Sequence, residues 1–357
     1  PYDTSRTYFR EETDFPGPRT MQATANWLDR NAGQHERFFL FVDEFDPHEP
    51  FDTPEPWAYK YHDQREEDLI IWPPYMQKAI EKGVLTEKQA FQVRANYGAK
   101  LSMIDHWLGK VLDAMDRNNL WDDTALFIVT DHGHYLGERD ETFGKPMSPI
   151  FNLLGHIPML VHWPGIEAGN RQALTTSVDI HATLVDLFDL DVEHRTHGVS
   201  LRSVIEGQEQ TARDYMLQGY FGLEVNVIDS AGKYIRGAEG PAGDISIWSN
   251  RWSTMPMHIF PNAGLPRPDG RAWLDRMPGS DTPVIRQPLS GQELSNRAVL
   301  LAGRGAGDKS YLFDNEDEQE TENLVDSERA HHYEKLLHHA LKEVEAPEEQ
   351  FVRLGLS

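Results

Sequence analysis

The sequence predicts an α/β fold: a mixed sheet flanked by helices, followed by a smaller α+β unit. Three observations predict it. Short apolar runs rich in β-branched and aromatic residues recur at 38–45, 124–130 and 157–163. Amphipathic helical stretches separate and follow them, giving the strand–helix–strand rhythm of a sheet with parallel members. Two of these runs end in a cluster of titratable residues, which is where α/β sheets place their ligands.

FFLFVDEF at 38–45 reads as a buried strand that runs into the Pro- and Asp-rich loop DPHEPFDTPEP. Residues 53–85, broken by WPP, read as an excursion over the surface. Thr86 is the expected N-cap of a long helix. Its apolar face is read as Leu101, Ile104, Leu108, Val111, Leu112 and Met115, and it ends at Asn118-Asn119. The strand 124–130 comes next, then a long loop, the strand 157–163 stopped by Pro164-Gly165, and a short amphipathic helix over 178–190. Beyond about residue 207 the texture changes. A hairpin is expected in 225–237 around Ser230-Ala231-Gly232, then a Gly-, Pro- and Trp-rich stretch of weak periodicity over 238–296. A strand over 310–313 and a helix over 331–344 complete the reading. The expected division is 1–207 for the larger α/β part and 208–357 for the smaller α+β part.

The chain of 357 residues carries a net charge of −24, from 58 acidic and 34 basic side chains. That argues against a nucleic-acid groove or an anionic membrane surface as the main partner. No apolar run approaches the roughly 20 residues that cross a bilayer, so the expected setting is soluble, in a bacterial cytoplasm or periplasm. The absence of cysteine excludes disulfides, thiolate metal ligands and a cysteine nucleophile within these residues.

Asp131 and His132 stand together at the end of the strand 124–130. A carboxylate oxygen and an imidazole nitrogen so placed can serve one cation, and Gly133 lets the chain turn. The alternative is that Asp131 caps the next segment and His132 is a surface histidine. Lys145 follows Phe143-Gly144 among acids. It is read either as a point charge for an anionic ester or as a solvated partner of Glu141. His48, held between Pro47 and Pro50, suits hydrogen bonding to an oxyanion or leaving group, or else is a loop histidine satisfied locally. His134 is a weaker candidate for substrate binding.

Several blocks together resemble the sulfatase family of the alkaline-phosphatase-like superfamily. They are FFLFVDEFDPHEPF, then YGAKLSMIDHWLGKVLDAMDRNNLWDDTALFIVTDHGHYLGE, FGK, IPMLVHWPG, SVDIHATLVDLFDL with HGVSL, and SYLFDNEDEQETENL. Their order is the family's across about residues 35–330. The resemblance implies a sulfuric ester hydrolase acting on a small sulfate ester or sulfated sugar, with a phosphodiester or phosphonate monoester hydrolase, or a non-catalytic binding protein, as alternatives. It places Asp131 and His132 on a divalent metal, calcium with magnesium or manganese as alternatives, and His48 and Lys145 on the sulfate and the leaving oxygen. His132 stands where many members have Asn. The family's nucleophile, formylglycine or Ser within Cys/Ser-x-Pro-Ser-Arg, has no counterpart here, nor has the Asp-Asp pair after its first strand. Asp122-Asp123 precedes its strand and lies at the wrong edge. The expectation is half an active site, with the nucleophile on an N-terminal fragment or another subunit.

Overall fold

The computed structural model describes residues 11–62, 70–145, 149–193, 195–220, 222–238, 245–250, 269–277, 280–290, 293 and 309–356. Two compact units divide the chain. The first comprises Pro1–Ile128, His134–Gly144 and Leu160–Gly165; the second comprises Val129–Gly133, Lys145–Met159 and Ile166–Ser357.

In the first unit two helices make the core. Helix α1 (Pro16–Asn31) starts on Pro16, whose missing N–H costs nothing in the first turn. It buries Met21, Ala25 and Leu28 at helical spacing. Helix α2 (Glu87–Arg117) opens on a capping box in which Thr86 and Gln89 exchange backbone and side-chain hydrogen bonds. Beyond it Asn119 turns the chain in the left-handed region at φ 53°. Met103, Ile104, Trp107, Val111, Ala114 and Met115 of α2 pack with Met21, Ala25 and Leu28 of α1. Arg117 and Asn118 both grip Asp29 of α1, at 2.9 and 2.8 Å. Strand β1 (Leu126–Val129) and its partner β4 (Met159–His162) belong to this unit except for Val129 and Met159, and the short hairpin β2 (Tyr135–Leu136) with β3 (Phe143–Gly144) completes it.

The second unit contains helix α3 (Val178–Leu187) and strands β5 (Tyr215–Gly219), β6 (Val225–Asp229), β7 (Gly232–Arg236), β8 (Ile245–Ser249), β9 (Trp273–Arg276), β10 (Pro283–Leu289) and β11 (Tyr311–Asp314). It ends in α4 (Arg329–Glu343) and α5 (Glu348–Arg353). An antiparallel sheet of order β11-β7-β6-β5 carries α4 on one face, through Val227, Tyr234 and Leu312 against Tyr333, Leu337 and Leu341. The expected β6–β7 hairpin is present. Asp229 Oδ1 accepts the N–H of Ala231 and Gly232 and the hydroxyl of Tyr333, so one carboxylate shapes the turn and ties it to α4.

Three readings need correction. The run 38–45 forms no strand, none of the described strands pairs with it, and Phe39, Phe41 and Phe45 are exposed rather than buried. The expected apolar face of α2 holds at Ile104, Val111 and Met115, which are buried, but not at Leu101, which is exposed while its neighbour Lys100 is buried. Leu101 attracts the reading because it is apolar, whereas the packed row Asn96, Lys100, Met103, Trp107 contains polar members. The stretch 238–296 lies partly outside the described residues, yet holds the antiparallel sheet β8-β10-β9.

Candidate functional site

In the first unit the segment 38–45 delivers the loop Asp46-Pro47-His48-Glu49-Pro50, and α2 fixes it. Lys100 Nζ lies 2.7 Å from Asp46 Oδ1 and donates to the Pro50 carbonyl at 2.8 Å, so one ammonium grips both ends of the loop. Lys100 and Asp46 are nearly inaccessible, with side chains 5 and 2% exposed. Burial pushes Asp46 above the usual carboxylate range against the pull of Lys100, and burial likewise raises Glu44, whose carboxylate accepts the Asp46 N–H at 2.9 Å.

His48, half-buried in that loop, has Nδ1 2.7 Å from the Glu49 carbonyl. A carbonyl only accepts, so Nδ1 carries the proton and Nε2 carries the lone pair of the neutral ring. Its ring stacks on Phe45 at 4.2 Å between centroids. Glu49 is fully buried, with one carboxylate oxygen 3.4 Å from His48 Nδ1 and 3.8 Å from His134 Nε2. Two of the expected residues, His48 and His134, are therefore brought to a common carboxylate. His134 Nδ1 meets the Tyr135 carbonyl at 2.8 Å, and its ring lies against Phe51 and Tyr97. Glu49 and Lys100 are absent from the sequence reading. Lys100 had a signal, since it falls on the buried row of α2.

Asp131, His132 and Lys145 belong to the second unit. Asp131 Oδ1 accepts the His132 N–H at 2.9 Å, and its Oδ2 lies 3.6 Å from His132 Nε2. His132 Nδ1 meets the Gly133 carbonyl at 2.9 Å, which leaves Nε2 with the lone pair of the neutral ring. Gly133 is required for closeness: its N–H bonds to the Leu154 carbonyl, and a Cβ there would stand 1.9 Å from the Leu153 carbonyl oxygen. The Asp131 side chain is 85% exposed, so the pair presents two donors at an open turn. Lys145 is half-buried immediately after Gly144. Glu141, offered as its partner, accepts the N–H groups of Ile80 and Glu81 and so caps the turn at 78–82.

The sulfatase family model matches residues 4–190, more than half of the chain. The chain belongs to the sulfatase family. It is 29% identical over 163 residues to a choline-sulfatase of Rhizobium meliloti, an alignment covering 44% of this chain and 31% of that protein. It is 26% identical over 229 residues to an arylsulfatase of Clostridium perfringens, covering 59% and 46%. The solved structure of yidJ from Bacteroides fragilis shares the fold, with a TM-score of 0.62 at 17% identity, covering 95% of this chain and 61% of that one. The sulfatase chain thus spans under half the length of these two curated relatives. Sulfatases generally use a divalent metal. Among the described residues no group of three or more His, Asp or Glu side chains is placed to hold one. The two donors of Asp131 and His132 fall short of the roughly six to eight oxygens that calcium takes. No described helix is long and apolar enough to cross a membrane.

Proposed function

We propose that this sulfatase chain supplies the leaving-group and anion-binding side of a sulfuric ester hydrolase acting on a small sulfate ester or a sulfated sugar. The observation that carries the reading is the seating of His48. A buried Lys100–Asp46 pair clamps its loop, and Glu49 holds it beside His134. In this reading His48 acts in its imidazolium form, with Nδ1 held by the Glu49 carbonyl and Nε2 donating to the ester oxygen as the S–O bond breaks, which lowers the charge that oxygen must carry. Lys145 would supply a cation to the sulfate oxygens, with His134 as a supporting substrate-binding residue beside Glu49. Asp131 and His132 would hold a divalent metal, calcium being the expected ion, whose Lewis acidity adds to the stabilisation of those oxygens. The nucleophile, formylglycine or Ser, belongs to polypeptide outside these 357 residues, because they contain neither Cys nor Ser-x-Pro-Ser-Arg.

The test is turnover by the full product of the reading frame. Aryl sulfates are expected to exceed aryl phosphonates in kcat/KM. His48→Ala is expected to lose about 100-fold, and more for phenols of high pKa than for nitrophenol. Preference for the phosphonate, or an alanine variant that loses equally on good and poor leaving groups, would contradict the assignment.

A further inference from the structure

In the second unit the sheet β11-β7-β6-β5 packs α4 through Val227, Tyr234 and Leu312. Successive residues of a strand point to opposite faces, so Asn226, Lys233 and Phe313 stand on the far face. That face grips residues 150–155, which include one helical turn over Asn152–Gly155. Gln218 of β5 donates to the Gly155 carbonyl at 3.1 Å, and Asn226 of β6 donates to the Ile150 carbonyl at 3.0 Å. Lys233 of β7 donates to Asn152 Oδ1 at 3.2 Å, and the Phe151 ring lies against Phe313 of β11. Glu320 completes the grip. One of its carboxylate oxygens lies 2.8 Å from Lys233 Nζ, and the other accepts the Asn152 N–H at 2.7 Å. The Lys233 and Glu320 side chains are only 3 and 2% exposed.

The turn held in this way carries a neighbour of the same unit. Its Leu154 carbonyl accepts the Gly133 N–H at 2.9 Å, and its Leu153 carbonyl leaves no space for a Cβ on Gly133. Asp131 and His132 immediately precede that glycine. Their turn thus rests on 152–155 as 152–155 rests on the sheet. Apolar packing alone would let the segment slide along the sheet, whereas a buried network of directional hydrogen bonds admits one placement. We propose that Glu320, with Lys233, is a positioning residue for the Asp131–His132 turn, acting through Asn152 and the Leu154 carbonyl rather than by touching substrate. This rests on reading Asp131 and His132 as the side of the site that serves the sulfate oxygens.

The test uses the full product of the reading frame and two variants. Glu320→Gln combined with Lys233→Met removes the pair without stranding a buried charge. Asn152→Pro leaves the pair in place and deletes the N–H and the side chain that it holds, at the first position of a helical turn, where proline is accepted. Both are expected to speed hydrogen exchange of the Gly133 amide about 10-fold while the β6 and β7 amides keep their protection. Both should also lower kcat/KM on aryl sulfates about 10-fold or more. The factor should be the same for phenols of low and high pKa, unlike that of His48→Ala, and should shrink towards one in an Asp131→Ala background. Unchanged Gly133 exchange, a loss that grows with leaving-group pKa, or full additivity with Asp131→Ala would overturn the proposal. Exchange that rises equally across β6 and β7 would overturn it too, since the pair would then only stabilise the unit. Faster Gly133 exchange in a protein whose parent hydrolyses no sulfate ester would instead sink the functional reading and leave the positioning of the turn standing.

Discussion

Lys100 sits on the packed side of α2, with its ammonium 2.7 Å from Asp46 and 2.8 Å from the Pro50 carbonyl. Breaking a buried pair from one side leaves a charge with neither water nor a partner. Lys100→Met is therefore expected to cost about 3–5 kcal/mol in urea unfolding. The double variant Lys100→Met, Asp46→Asn should recover most of that loss, because the orphaned charge goes with its partner. A double variant no better than the single one would show that the lysine acts through the Pro50 carbonyl alone. At this scale the sequence was half legible. The Asp131-His132-Gly133 turn is readable because a strand end, two ligating residue types and a glycine coincide within three positions. Glu49 is not, because charged side chains are seldom fully buried and nothing local announces the exception; Lys100 is signalled only by its place on the packed row of α2.

The loop that follows 38–45 depends on carboxylates held out of water. Glu44 and Asp46 both have folded-state pKa values raised by burial. The folded protein thus binds these protons more tightly than the unfolded chain does. The resulting stability is fully present below the unfolded values near 4 and is lost as pH rises through the raised ones. Glu44→Gln keeps an acceptor for the Asp46 N–H and removes the charge. Its stability advantage over the parent should grow between pH 4.5 and 7.5 in paired urea titrations; a constant gap would contradict the burial argument. Among elements, α2 and the β6–β7 hairpin were readable from a cap and a turn signal. Helix α1 was not, since Gly17, Pro18, Thr24 and Ala25 share its buried face with only two large apolar residues, Met21 and Leu28. The run 38–45 had the composition of a buried strand, but burial depends on what lies opposite, and no local pattern encodes that.

Over the whole molecule, the order of blocks carried the α/β class and the family, because strands and helices of that fold alternate in sequence as they do in space. The substrate is less legible, since loops set specificity and much of 239–308 lies outside the described residues. The two units nonetheless share one device. Each has a lysine sealed against a carboxylate: Lys100 with Asp46 in the first, and Lys233 with Glu320 at 2.8 Å in the second. An ammonium must reach solvent before it can be acylated, so these two of the eleven lysines are internal clocks. Treated with acetic anhydride and followed by peptide mass spectrometry, Lys100 and Lys233 should lag the other lysines. Each lag measures how often its own unit opens. Rapid acylation of either would show that its ion pair is not sealed in solution.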